Sequence, residues 1–147
     1  MTVVRGCEMP DDLLYDVDNN IWYREQDDGT VTIGMTMVAA AMAGELVAFT
    51  AKRAGKTIKA GRSCATVESG KWVGPAKIAF EAEVVENNAE LNANPKLANS
   101  DPYGDGWMAR LKPVDWDAAK GLLTPGNEVA GPYEAKMAAD DFAGCGA

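Results

Sequence analysis

The chain has 147 residues, of which 47% are hydrophobic and 24% charged, enough for one core-bearing domain and too few for two. Its formal net charge of −8 leaves a grip on nucleic-acid phosphates without an electrostatic basis, and no apolar run is long enough to span a bilayer. The absence of His removes Ser-His and Cys-His nucleophile pairs, His-ligated metals and imidazole proton shuttles. The polar start from Met1 to Cys7 lacks the apolar core of a signal peptide, so a cytoplasmic protein with no membrane and no nucleic-acid partner is expected. Cys7, Cys64 and Cys145 form no Cys-x-x-Cys pair and are odd in number. Each is therefore expected to be a free thiol, with Cys64 a small core residue and the other two inert at frayed ends, a role in sulfur relay being the alternative for Cys7 and Cys145.

After an acidic lead-in, Asn20–Glu25 and Thr30–Gly34 flank Asp27-Asp28-Gly29, which predicts an antiparallel hairpin. Thr36 is placed to cap a helix over Met37–Ala43, which Gly44 stops. A strand over Glu45–Thr50 follows, then a short extended segment between Gly55 and Gly61, then a strand over Cys64–Glu68. Period-2 alternation over Lys77–Val84 puts Ile78, Phe80, Ala82 and Val84 on one face and predicts a half-buried strand. The intervening Ser69–Ala76 is rich in turn formers and is expected at the surface, with Lys71 at or beside a hairpin tip. A final strand is read over Trp107–Leu111, and helical pieces over Val114–Leu123 and Tyr133–Phe142. Any internal repeat is limited to two hairpin-like halves around Gly61.

Read from the residues alone, Lys71 has three roles open to it. A solvated turn lysine is the commonest case. A buried Schiff-base amine needs a desolvation that a hairpin tip does not supply. A lysine displayed for covalent modification gains from a tip, because an enzyme and then several partners can reach the same atom. Sequence physics leaves the first ahead.

The stretch Ala65-Thr66-Val67-Glu68-Ser69-Gly70-Lys71 resembles the lipoyl-lysine motif of the glycine cleavage system H protein family. Ile33–Thr36, Ala43–Val47, Gly55–Gly61, Glu83–Leu91, Asn94–Asn99 and Asp101–Trp107 continue the likeness in register, from Pro10 to about Leu123. The resemblance implies a mainly β barrel-sandwich hybrid with short flanking helices, residues 1–124 forming the carrier domain and 125–147 a helical tail packed on it or trailing from it. It also implies lipoate in amide linkage to Lys71, with Glu68, Ser69, Gly70 and Trp72 as neighbouring recognition residues. The chain would then be a monomeric carrier within a multi-enzyme system and not itself an enzyme. Glu68 has an equal claim to be a solvated strand-end carboxylate. For Asn87, Pro102, Tyr103 and Trp107, turn formation and aromatic packing suffice.

Around the tip the chain departs from the family. Asn20-Ile21-Trp22 stands where relatives read His-Glu-Trp, Gly70 stands where they have Val, and Trp72-Val73-Gly74-Pro75 follows the lysine. These departures, with Cys7 and the Cys-ended tail Gly144-Cys145-Gly146-Ala147, resemble H-like lipoate-binding proteins of a heterodisulfide-reductase-like sulfur-oxidation system. On that likeness the arm is expected to shuttle sulfur-bound intermediates between partner enzymes of cytoplasmic sulfur oxidation, with a lipoylating enzyme and the heterodisulfide-reductase-like sulfur-oxidising complex as partners. The alternatives are an aminomethyl carrier of glycine cleavage and an unmodified binding module. A biotin carrier would place Met on both sides of the lysine, where this chain has Gly70 and Trp72. A freestanding enzyme lacks an acid–base pair, a phosphate-cradling loop and a metal cluster.

Overall fold

A computed structural model describes residues 1–145. Strands β1 (Thr2–Val4) and β2 (Cys7–Met9) form a small hairpin, followed by β3 (Leu14–Asp16), β4 (Ile21–Glu25) and β5 (Val31–Met35). Then come α1 (Met37–Ala43), β6 (Leu46–Ala51), β7 (Thr57–Ile58), β8 (Ser63–Ser69), β9 (Val73–Lys77) and β10 (Ala82–Asn87). The remainder holds α2 (Ala89–Ala93), α3 (Leu97–Ser100), β11 (Ala109–Pro113), α4 (Trp116–Lys120), β12 (Thr124–Pro125) and α5 (Ala130–Ala139). All strand pairs are antiparallel: a seven-stranded sheet in the order β12-β3-β4-β5-β11-β10-β7, a three-stranded sheet β6-β8-β9, and the β1-β2 pair. The expected mainly β sandwich with short flanking helices is what forms, and its sheets do not close into a barrel.

The β4–β5 hairpin forms as its turn chemistry predicts. Asp28 Oδ1 accepts from the Thr30 N–H and hydroxyl, and Gly29 supplies the left-handed φ of 85°. Helix α1 has the predicted bounds, with the Thr36 hydroxyl accepting the Ala39 N–H at 3.2 Å and Gly44 ending it at φ 82°. Two cores use the two faces of the seven-stranded sheet. Ile21, Tyr23, Ile33, Val84 and Leu111 face the three-stranded sheet's Leu46, Phe49, Val67 and Ala76. Tyr15 and Trp22 face the other way, toward Val4, Cys7 and Met9 of the N-terminal hairpin and Val129, Tyr133 and Met137 at and within α5. Every residue of β5 is consequently buried, as expected of a strand covered on both sides.

Four expectations need correction. The Lys77–Val84 strand is divided: β9 ends at Lys77 and β10 begins at Ala82 in the other sheet. Ile78, Phe80, Ala82 and Val84 are all buried as the alternation required, but the alternation runs on through a crossover, where the Ile78 N–H bonds Arg62 O and the Ala79 N–H bonds the Tyr23 hydroxyl. The surface connection Ser69–Ala76 shrinks to a turn at residues 70–72, because Val73–Lys77 pairs with β8 despite Pro75; β9 is an edge strand, where a missing N–H is tolerated. The last strand and the final helix are displaced, to Ala109–Pro113 and Ala130–Ala139, and the helix read over Val114–Leu123 shortens to Trp116–Lys120. Finally, the lead-in is a folded hairpin, and Cys7 and Cys145 are joined in a disulfide and are not free thiols. They are 138 residues apart, and their pairing depends on both termini meeting on the outer face of the seven-stranded sheet. Cys64 is the buried free thiol, with burial pushing it up to about 12.

Candidate functional site

The β8–β9 hairpin carries Lys71 at its tip. Glu68 pairs with Val73, so residues 69–72 close the turn, with the Ser69 N–H donating to Trp72 O at 2.7 Å. The buried Ser69 hydroxyl lies inside that turn, accepting from the Lys71 N–H at 3.3 Å and donating to Trp72 O at 3.4 Å. Gly70 and Lys71 are exposed, and Trp72 and Val73 remain 42% and 61% exposed. The Trp72 ring lies over Gly74, where a Cβ would overlap it. Apolar surface is thus displayed beside the lysine.

Lys71 does not project freely. Its side chain runs back against Gly44 at the end of α1, where a Cβ would stand 3.1 Å from Lys71 Cε. Gly44 therefore serves twice: its left-handed φ ends the helix, and its missing side chain admits the lysine. Asn99 fixes that helix end, accepting the Leu46 N–H at 2.9 Å and donating to Gly44 O at 2.9 Å.

A groove of about 550 Å³ opens beside the Lys71–Trp72 tip. Met42 and Ala43 of α1, Val67 and Ala76 of the three-stranded sheet, and Ile21 and Met35 of the larger sheet make it mostly apolar, while Asp18 and Asn20 of the β3–β4 turn add polar groups to its lining. The Asn20 Oδ1 is buried without a hydrogen-bond partner. Such a groove suits a long, mostly apolar chain tethered at Lys71.

Of the residues singled out in the sequence, the structure brings Ser69, Gly70, Lys71 and Trp72 together. It does not bring Glu68 into the groove. Alternation on β8 buries Val67 and Ser69 and leaves Glu68 on the exposed face. Gly44, Met42, Asp18 and Asn99 carry no local signal as site residues, since only tertiary packing brings Gly44 against the lysine, Met42 and Asp18 to the groove and Asn99 to the end of α1; in the sequence Gly44 shows only as a helix stop. Pro102, Tyr103 and Asn87 make hydrogen bonds within the fold. Pro102 O accepts from Trp22 Nε1 at 2.9 Å, the Tyr103 hydroxyl donates to Glu8 O and accepts the Met37 N–H, and Asn87 Nδ2 donates to Lys52 O. Among the described residues no group of three or more Cys, Asp or Glu is placed to hold a metal, and no helix is long and apolar enough to cross a membrane.

The family model described as Glycine cleavage H-protein matches residues 13–134. The chain is 52% identical over 134 residues to Glycine cleavage system H protein 5 of Aquifex aeolicus, covering 88% of this chain and 90% of that one. It is 39% identical over 126 residues to Probable glycine cleavage system H protein 2 of Sulfolobus acidocaldarius, covering 84% and 85%. The crystal structure of a glycine cleavage system H protein from Mycobacterium marinum superposes with a TM-score of 0.74 at 30% identity, over 88% of this chain and 99% of that one.

Proposed function

The chain belongs to the glycine cleavage H-protein family, whose members are lipoate carriers and not enzymes, and from that premise we propose that Lys71 receives the lipoyl group and carries the aminomethyl group of glycine cleavage between partner enzymes. One observation carries the assignment: the Lys71 side chain is at an exposed hairpin tip and also borders an apolar groove. The amine is open to the lipoylating enzyme, and the groove can shelter the arm between encounters. When bound, the dithiolane supplies a disulfide held far from its relaxed torsion, which opens readily to thiolates. The chain's own part is to hold the amide nitrogen at the tip through the Ser69 turn and to exclude water along the groove with Met42, Val67 and Trp72. Amide formation removes the Lys71 charge and leaves an already acidic protein more so. Partners with basic faces are favoured, and their association weakens with added salt.

A second reading keeps the same arm and changes its cargo to sulfur-bound intermediates of a heterodisulfide-reductase-like complex. The departures Gly70 and Trp72-Val73 at the tip favour it. The names carried by the relatives favour glycine cleavage.

The test has two stages. Intact mass after co-expression with a lipoylating enzyme should show one lipoyl increment, lost in Lys71→Arg with the fold retained; an increment persisting on that variant refutes the site. The lipoylated protein is then offered glycine with glycine decarboxylase, and separately a sulfur donor with the heterodisulfide-reductase-like enzyme. Aminomethyl loading in the first mixture supports the proposal. Loading only in the second transfers it to the sulfur reading.

A further inference from the structure

The geometry points to a second sulfur centre in this protein: the Cys7–Cys145 disulfide is an exchange site that dithiols reduce faster than monothiols do. The inference does not rest on modification of Lys71. The two Cα atoms are 4.9 Å apart, and the chain holds them together through contacts that do not involve sulfur. The Cys145 N–H donates to Arg5 O at 3.0 Å. The Arg5 guanidinium donates to Phe142 O at 2.7 Å and pairs with Glu134 at 2.6 Å, tying the segment after α5 to the N-terminal hairpin. Arg5, Asp141 and Gly144 adopt left-handed φ values of 50°, 54° and 137°, and a Cβ on Gly144 would overlap the Arg5 carbonyl. On the other side, Cys7 is fixed opposite Val4 in the β1–β2 pair. The sulfurs are therefore neighbours whether or not they are bonded.

Their exposures differ. Cys7 is wholly buried, while Cys145 is partly open to solvent and its Sγ lies 3.7 Å from Met37 O. An incoming thiolate consequently reaches the Cys145 sulfur first. Its attack forms a mixed disulfide at Cys145, breaks the Cys7–Cys145 bond and leaves Cys7 as a thiolate. With a monothiol, Cys7 is still held at contact distance and attacks back, expelling the reagent at an effective concentration no dilute thiol can match. With a dithiol, the second thiol attacks the reagent's own sulfur in the mixed disulfide, closes the reagent into a cyclic disulfide and releases Cys145 as a thiolate. Two electrons and two protons pass from the dithiol to the cysteine pair. The same steps run backward from a cyclic disulfide.

The experiment uses the full chain carrying Lys71→Arg, so that no arm contributes, oxidised with excess lipoamide. It is then exposed at neutral pH to dihydrolipoamide or to glutathione at equal thiol concentration, alkylated, and read by intact mass. Cys64, buried and with a thiol pushed up to about 12, stays unlabelled in the folded protein. Dihydrolipoamide should yield the doubly alkylated form about tenfold faster than glutathione, and excess lipoamide should restore the disulfide. The inference is overturned if lipoamide forms no disulfide, if the two reagents act alike, or if neither reduces the pair without denaturant. In Cys7→Ser, Cys145 should alkylate about tenfold faster than Cys7 does in Cys145→Ser; the reverse order overturns the direction of attack. The wild-type pair decides the first question even if either variant fails to fold.

Discussion

Gly34→Ala and Gly74→Ala introduce the same methyl against the same kind of ring, and the structure assigns them opposite outcomes. Gly34 pairs with Trp22 across β4 and β5, and a Cβ there would stand 2.7 Å from Trp22 Cζ2, about 0.7 Å inside ordinary contact. Trp22 cannot yield freely. It is fully buried, its Nε1 donates to Pro102 O at 2.9 Å, and Arg24 stacks at 4.8 Å from the ring centroid. Overpacking costs about 1–3 kcal/mol and a weakened buried hydrogen bond about 1 kcal/mol, while replacing Gly in an extended strand returns about 0.5–1 kcal/mol. The net loss is about 2 kcal/mol, a fall in Tm of roughly 6–8 °C for a domain of this size. At Gly74, on the edge strand β9, the overlap is deeper, yet Trp72 in the preceding turn is 42% exposed and can swing into solvent. Its net change should stay within about 0.5 kcal/mol. Thermal melts of the two variants beside wild type decide the matter. Equal losses, or an unchanged Tm for Gly34→Ala, would refute the reasoning that the neighbour's freedom, and not the depth of overlap, sets the cost.

Asn99→Ala removes the bonds to Leu46 N and Gly44 O and should cost about 2 kcal/mol, read as a lower urea midpoint at unchanged m; a loss under about 0.5 kcal/mol would show that packing alone holds the end of α1. Ser69→Ala removes two long hydrogen bonds while the Ser69 N–H to Trp72 O bond persists, so stability should fall by no more than about 1 kcal/mol while lipoylation slows. An unchanged lipoylation rate would mean that the backbone turn by itself presents the lysine. The Asp28 carboxyl is held below its ordinary 3.8 by the Thr30 hydroxyl and N–H. A lowered folded value means the carboxylate's contribution is complete above the unfolded value and disappears as pH falls through the folded one. NMR titration of Asp28 should give a midpoint below 3.8, and a midpoint at or above it would contradict the turn geometry.

Local chemistry was legible wherever the determinant lies within a few residues. Thr36 and Gly44 bound α1, Asp28-Gly29 closes its hairpin, and the β8–β9 turn places Lys71 at a tip, all through contacts spanning two to five positions. The errors lie where the determinant is distant. Alternation over Lys77–Val84 correctly reports which side chains are buried, but two sheets sharing one core bury the same face of a chain crossing between them. The N-terminal hairpin is three residues per strand, too short for a periodic signal, and is stabilised by α5 from the opposite end of the chain. For the same reason the Cys7–Cys145 pairing has no local signature. The groove beside Lys71 was invisible because its walls come from α1, both sheets and the β3–β4 turn.

The two faces of the seven-stranded sheet divide the labour of the molecule. One face packs against the three-stranded sheet, whose strand β8 leads out of the core to the lysine tip. The other gathers both termini, the aromatic pair Tyr15 and Tyr133 at 6.4 Å, and the disulfide. Helix α1 connects them, with Met37 beside Cys145 and Gly44 beside Lys71, and at seven residues it separates the two sites by roughly 10 Å. The Thr36 hydroxyl caps one end of that helix and Asn99 pins the other. Looseness at α1 would be felt at the tip before it was felt in the β core, since the tip leans on Gly44 while the sheets are held by their own ladders.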